Sequence, residues 1–201
     1  MPYSEFTLKR VVNQFNLKII EEKGIFASIA AHPMSQRLAE TLAENIPLAI
    51  AINTEKARSE LIIANVLVEL LRIFDKRISF FSGIEFNVDE SQDLRGYCDF
   101  IISLTPEQMF LNAPVVTLVE AKNANTISGL GQCIAEMVAA QKFNAKEGNQ
   151  VLIIYGAVTS GNYWQFMKLE DTTVSVDMQD YLIDDAGKIL GILTAMINQT
   201  A

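Results

Sequence analysis

The sequence predicts an α/β fold, on three observations. Residues 115–122 read Val-Val-Thr-Leu-Val-Glu-Ala-Lys, an apolar strand-like run ending in two opposite charges separated by one small residue. Residues 93–104 form a second strand candidate, in which Asp99 interrupts a hydrophobic run. A long amphipathic helix, roughly residues 54–76, precedes both, while a helix at 130–146 and a strongly apolar strand at 151–158 follow. Helical and strand periodicities therefore alternate along the chain instead of segregating.

In chain order, Phe6, Val11, Val12 and Phe15 predict a first helix, followed by a short strand at 17–20 and a turn at Lys23-Gly24. Residues 35–46 read as a helix capped by Ser35 and closed before Pro47. The helix over 54–76 draws its polar face with Arg58, Asn65, Glu69, Arg72 and Lys76. Glu60 falls nearly opposite that face, on the inward stripe with Ile63, Ala64, Leu67 and Leu71. Residues 80–88 are the first strand of a hairpin, and the acidic turn 89–93 leads into the Asp99 strand. There Tyr97, Asp99 and Ile101 share one face, and the connection over 105–114 is short enough for antiparallel neighbours, so Asp99 and Glu120 can lie side by side. Beyond 151–158, the turn Thr159-Ser160-Gly161-Asn162 opens a strand at 163–169. A strand over 173–183 and an amphipathic helix carrying Ile189, Leu190, Leu193, Met196 and Ile197 close the chain.

Alternate side chains of an extended strand share a face, so Glu120 and Lys122 point the same way beside Val116 and Leu118. Burying either charge alone costs several kcal/mol, and the pair calls for a third partner: a metal ion, another carboxylate or a bound phosphate. Asp99 is equally out of place in a strand unless something there requires it. Two acids about 4 Å apart repel by roughly 4 kcal/mol at an effective dielectric of 20, which makes such a pair attractive to a divalent cation. Gln132 and Glu136, taken alone, read as a solvated helix face.

The order of a helix with Glu60, a hairpin with Asp99, a strand ending Glu120-Ala121-Lys122 and a helix beginning Gly-Leu-Gly-Gln-Cys-Ile-Ala-Glu resembles the PD-(D/E)XK nuclease superfamily over about residues 55–169. The resemblance implies a restriction-endonuclease-like αβββαβ core with a mixed central sheet flanked by helices. It implies that Asp99 and Glu120 hold magnesium or manganese, with the backbone carbonyl of Ala121 as a further ligand. Glu60 supports that site, Lys122 assists the attacking water, and Gln132 and Glu136 are supporting residues on the following helix. Glu136 stands where several members carry a Tyr four residues after the Gln, which sets the chain apart from the exonuclease branch; Cys98 stands where the superfamily carries its Pro. The implied activity is metal-dependent hydrolysis of phosphodiester bonds in nucleic acid, with DNA the expected substrate and a homodimer mate or partner subunit completing the surface. The alternative is a catalytically inactive domain of the same fold serving as an interaction or assembly module.

At 201 residues with 50% apolar content, the chain suits one domain, with the nuclease-like core at about 53–170, an N-terminal helical extension at 1–52 and a C-terminal strand and helix at 171–201. No apolar run approaches the roughly 18 residues of a membrane span, and the N-terminus lacks a signal-peptide pattern, so the expected location is the cytoplasm, without membrane contact. Cys98 and Cys133 have no zinc or redox spacing and are expected as buried free thiols. His32, the only histidine, precedes Pro33 in a loop and offers no triad chemistry; Trp164 reads as a packing residue. A net charge of −8 runs against nucleic-acid binding, and the basic residues near the proposed site, Lys56, Arg58, Arg95, Lys122, Lys142 and Lys146, form no cluster.

Overall fold

Seven positions of strand 115–121 are buried without exception, which makes this strand the centre around which the rest is arranged. The computed structural model describes residues 2–122, 126–199 and 201, with the side chains of 126–128 outside that description. Its helices are α1 (Leu8–Phe15), α2 (Gln36–Ile52), α3 (Glu55–Arg58), α4 (Ala64–Ile73), α5 (Thr126–Lys146) and α6 (Ala186–Ile197). The strands are β1 (Lys18–Glu22), β2 (Ser79–Glu85), β3 (Tyr97–Ser103), β4 (Val115–Ala121), β5 (Ile153–Thr159), β6 (Tyr163–Glu170), β7 (Thr173–Asp177) and β8 (Tyr181–Leu182).

All eight join one mixed sheet in the order β1-β7-β6-β5-β4-β3-β2, with β8 paired to β6. β2, β3 and β4 are antiparallel neighbours, and β4 pairs with β5 in parallel after the α5 crossover. Helices cover both faces. Ile62, Val66, Leu67 and Leu70 pack with Ile189 and Leu193 of α6 against Phe100, Val119 and Ala157 on one face. On the other, Val11 of α1 and Cys133, Ile134 and Met137 of α5 pack against Ile101, Leu118 and Val158. A strand covered on both sides has no polar side to show, which is why β4 and β5 read as continuous apolar runs and not as alternating ones. Among the described residues, no helix is long and apolar enough to cross a membrane.

Three sequence expectations are corrected here. Helix α2 passes through Pro47 and ends at Ile52; the helical carbonyl that Pro47 cannot serve belongs to Ala43, an exposed residue, so the missing bond falls on the solvent side of the helix. The strand expected over 173–183 stops at Asp177. Its buried carboxylate accepts the N–H groups of Gly24, Phe26 and Gln179 and the Tyr181 hydroxyl, turning the chain so that β8 pairs with β6.

The third correction concerns the helix at 54–76. Thr54 caps α3 by accepting the Ala57 N–H at 3.1 Å, and α3 continues into α4 through a π-helical turn at Ser59–Ile63. A π turn holds an extra residue, so side chains before it are out of phase with those after it. Glu60, projected onto the inward stripe by uniform helical spacing, instead points outward with its side chain 62% exposed and pairs with Lys56 at 2.9 Å. Glu69, projected onto the polar face, is buried, accepting the Ser35 N–H at 3.1 Å and pairing with Arg72 at 2.8 Å.

Candidate functional site

The ends of β3 and β4 build the site. Their antiparallel register pairs Phe100 with Val119 and Ile101 with Leu118, so the next step along both strands sets Asp99 across from Glu120. In place of a further ladder bond, the Asp99 carboxylate accepts the Ala121 N–H at 2.8 Å. Cys98 and Ile101 both pack on the α5 side of the sheet while Phe100 packs on the other, so strict alternation breaks at Asp99. The expectation that Asp99 shares a face with Ile101 is therefore corrected. Asp99 lines a cleft of about 280 Å³ together with Ala121, Ser82 and Gly83 from the sheet and Glu55, Lys56, Ser59 and Glu60 from the helix. Gly83 lies in β2 between Ser82, paired with Phe100, and Ile84, paired with Cys98, and thus across from Asp99. It has φ +62°, and a Cβ there would stand in open space, so glycine keeps the cleft floor clear and permits the left-handed backbone.

Glu120 and Lys122 behave as their spacing predicts. The Lys122 ammonium pairs with Glu120 Oε1, the glutamate side chain being 1% and the lysine 22% exposed. Glu120 Oε2 is buried and has no hydrogen-bond partner among the described residues. Burial and, next, the Asp99 carboxylate push the Glu120 carboxyl up to about 8, against an opposing pull from Lys122. Burial works to lower the Lys122 ammonium, but Glu120, with Glu55 and Asp99, carries it above the usual lysine value. The cluster thus holds more negative charge than one lysine neutralises. Without another cation it relaxes by keeping a proton on Glu120.

Helix α5 closes the site from the other side of the sheet. Gln132 and Glu136, a solvated face by pattern alone, are both buried. Lys122 donates to Gln132 Oε1 at 3.3 Å, and Gln132 Nε2 donates to Glu136 Oε1 at 3.1 Å. Glu136 Oε2 has no hydrogen-bond partner among the described residues, and burial followed by Glu120 raises this carboxyl well above its ordinary value.

The structure thus brings Asp99, Ala121, Glu120, Lys122, Gln132 and Glu136 together and leaves Glu60 on the cleft rim, on Lys56. Sequence reasoning missed Glu55 and Ser59 on the rim, Gly83 on the floor and Gly129 in α5. Only the glycines carried a signal, since each breaks the propensity of its element by up to about 1 kcal/mol and so implies a local reason. Cys98 and Cys133 are buried free thiols as expected. Trp164 is a fully buried packing residue whose indole N–H donates to the Gly161 carbonyl. His32 lies in the loop before α2, its ring nitrogen against the Pro33 carbonyl.

Among the described residues, no group of three or more His, Cys, Asp and Glu side chains is arranged to hold a metal ion. Magnesium asks for less, taking one or two carboxylates and completing its shell with water and substrate oxygens. The donor chemistry fits that demand: two hard carboxylates, one with an unpartnered buried oxygen and a proton affinity raised by the other. Compared with known proteins, the chain matches no family model and no curated sequence.

Proposed function

We propose that this chain is a metal-dependent nuclease of the PD-(D/E)XK type that hydrolyses phosphodiester bonds in nucleic acid, with DNA as the expected substrate. The observation that carries the reading is the convergence of Asp99, Glu120 and Lys122 at the ends of two adjacent strands, where the Asp99 carboxylate stands near enough to Glu120 to raise it and Glu120 Oε2 is buried with no hydrogen-bond partner among the described residues. The element order helix, β2, β3, β4, α5, β5, with β4 and β5 parallel, supports it as the αβββαβ arrangement the resemblance implies.

Asp99 and Glu120 would hold the divalent cation, beside the main chain of Ala121. When bound, that ion supplies Lewis-acid polarisation of the phosphate and lowers the pKa of water. The chain's own part is electrostatic. Lys122 keeps its charge because acids surround it, and its ammonium offsets the negative charge that builds on the phosphoryl oxygens as water attacks phosphorus and an ester oxygen leaves. Asp99, fixed by the Ala121 N–H, enters the reaction without having to reorganise. Ser82 and Gly83 leave the approach to Asp99 free of bulky side chains.

A second reading, an inactive assembly module of the same fold, draws on a different observation: the net charge of −8 and the rim acids Glu55 and Glu60 oppose approach of a polyanion. Incubating the protein with supercoiled plasmid, circular single-stranded DNA and structured RNA, each with magnesium or manganese, separates the two. The nuclease reading expects at least one substrate to be cut, and Lys122→Ala to lose at least about 100-fold in rate while melting normally. Protein that binds manganese and leaves all three substrates intact belongs to the module reading.

A further inference from the structure

Lysine side chains are long, flexible and rich in rotamer entropy, so an ammonium at a fixed point has to be held there. Residues 129, 132 and 136 are spaced three and four apart on α5 and share one helical face. All three bear on Lys122. At Gly129 a Cβ would come within 2.7 Å of Val158 Cγ1, 3.0 Å of Lys122 Cγ and 3.2 Å of its Cε, so the absent side chain leaves the room that the valine and the lysine stem share. The Gln132 carbonyl oxygen receives the ammonium at 3.3 Å. An amide has two ends of nearly equal size and opposite hydrogen-bonding sense, and an ammonium can only donate, so only one orientation of Gln132 serves. Glu136 sets that orientation by accepting from Gln132 Nε2 at 3.1 Å, deep enough to be wholly removed from solvent.

We propose that Glu136 is a positioning residue for Lys122, acting through Gln132: the buried acid on the third turn of the track fixes the amide, and the amide fixes the ammonium against Glu120. Among the described residues, two of the three ammonium N–H directions are thereby committed, to Oε1 of Glu120 and Oε1 of Gln132, which leaves the third for water or a substrate oxygen. The role explains why a carboxylate stands at a fully buried helix position with one oxygen unpartnered among the described residues. A leucine there would fill the space without that cost. Although the consequence for turnover rests on the nuclease reading, the geometry of the lysine does not.

The test compares wild type with Glu136→Gln, which can still accept from Gln132 Nε2, and Glu136→Leu, which cannot. With lysines carrying ¹³C at the ε position, an immobilised Lys122 shows two distinct ε-proton shifts, which merge when the side chain is free. Wild type and Glu136→Gln are expected to show the split pair and Glu136→Leu the merged one, with α5 backbone signals retained in all three. In cleavage assays Glu136→Leu is expected to lose about 10- to 100-fold in kcat with KM unchanged, and Glu136→Gln to restore most of it. A split pair persisting in Glu136→Leu overturns the proposal, as does Glu136→Gln behaving like Glu136→Leu, which would make charge and not orientation the requirement. If wild type cuts nothing, the nuclease reading fails and the lysine spectra alone decide the positioning role. If Glu136→Leu does not fold, the Glu136→Gln spectrum decides it.

Discussion

Glu120 sits in a strand buried at every position, and an acid there must find a cation or keep a proton. Its ordinary value of 4.5 rises to about 8 on folding, through burial and then Asp99. Between those two values the folded chain binds a proton that the unfolded chain does not, so stability is fully present below about 4.5 and is lost as pH rises through about 8. For the protein in chelator we expect the unfolding free energy to fall across that window, with a slope approaching 1.4 kcal/mol per pH unit from this group alone. Glu120→Gln removes this group's share of the slope and leaves that of the buried Glu136 carboxyl, which is also raised. Denaturant titrations at half-unit pH intervals measure it, and a wild type whose profile coincides with that of Glu120→Gln would mean that the carboxyl is not strained by its neighbours. On the nuclease reading, manganese at a hundredfold excess over its dissociation constant is expected to add about 2.7 kcal/mol, and to bind most tightly at the upper end of the window, where it displaces no proton.

At the scale of elements, the legible and the illegible parts of the chain have separate physical causes. Strand β4 was legible because five apolar or small residues, Val115 to Val119, run into Glu-Ala-Lys, and the two-residue spacing that joins Glu120 to Lys122 needs nothing beyond strand geometry. The site acids Asp99 and Glu120 were paired correctly by the short β3–β4 connection, yet the face of Asp99 was not, since a break in alternation leaves no mark in residue types. Gln132 and Glu136 look solvated because buried polar groups are recognisable only through partners distant in sequence, here Lys122. The existence of the helix over 54–76 was clear, but its phase depended on the π turn. That turn leaves carbonyls without regular helical donors, and side-chain amides take their place: Asn45 and Asn65 both donate to the Leu61 carbonyl at 2.9 Å, and Asn65 also to that of Glu60 at 3.1 Å. If these bonds hold the wide turn, Asn65→Ala costs about 1 kcal/mol and Asn45→Ala a similar amount. The double variant should cost more than their sum, because after either single change the remaining amide still serves the shared Leu61 carbonyl. Melting of the three variants checks this, and strict additivity would mean that the two amides do not act on one carbonyl.

For the molecule as a whole, the cleft lies where helix and sheet end together, inside an acidic surface. A net charge of −8 repels a polyanion at long range, and the cations nearest the cleft are already engaged: Lys56 with Glu60, Lys122 with Glu120, and Arg58 with the Asn53 side chain and the Ser160 carbonyl. Few phosphates can therefore be neutralised by side chains. Each neutralised phosphate contributes about −0.9 to the slope of log affinity against log salt on duplex DNA, so a small number of contacts makes a shallow slope. On the nuclease reading, we expect Lys122→Ala to bind duplex DNA uncut, with a slope no steeper than about −3 and an affinity that depends on the divalent ion because the ion would offset the acids at the cleft. Fluorescence anisotropy of a labelled duplex across a salt series, with calcium and with chelator, measures both quantities. A slope of about −6 or steeper in chelator would require a basic track elsewhere on the surface and would move the point of contact away from the β3–β4 ends.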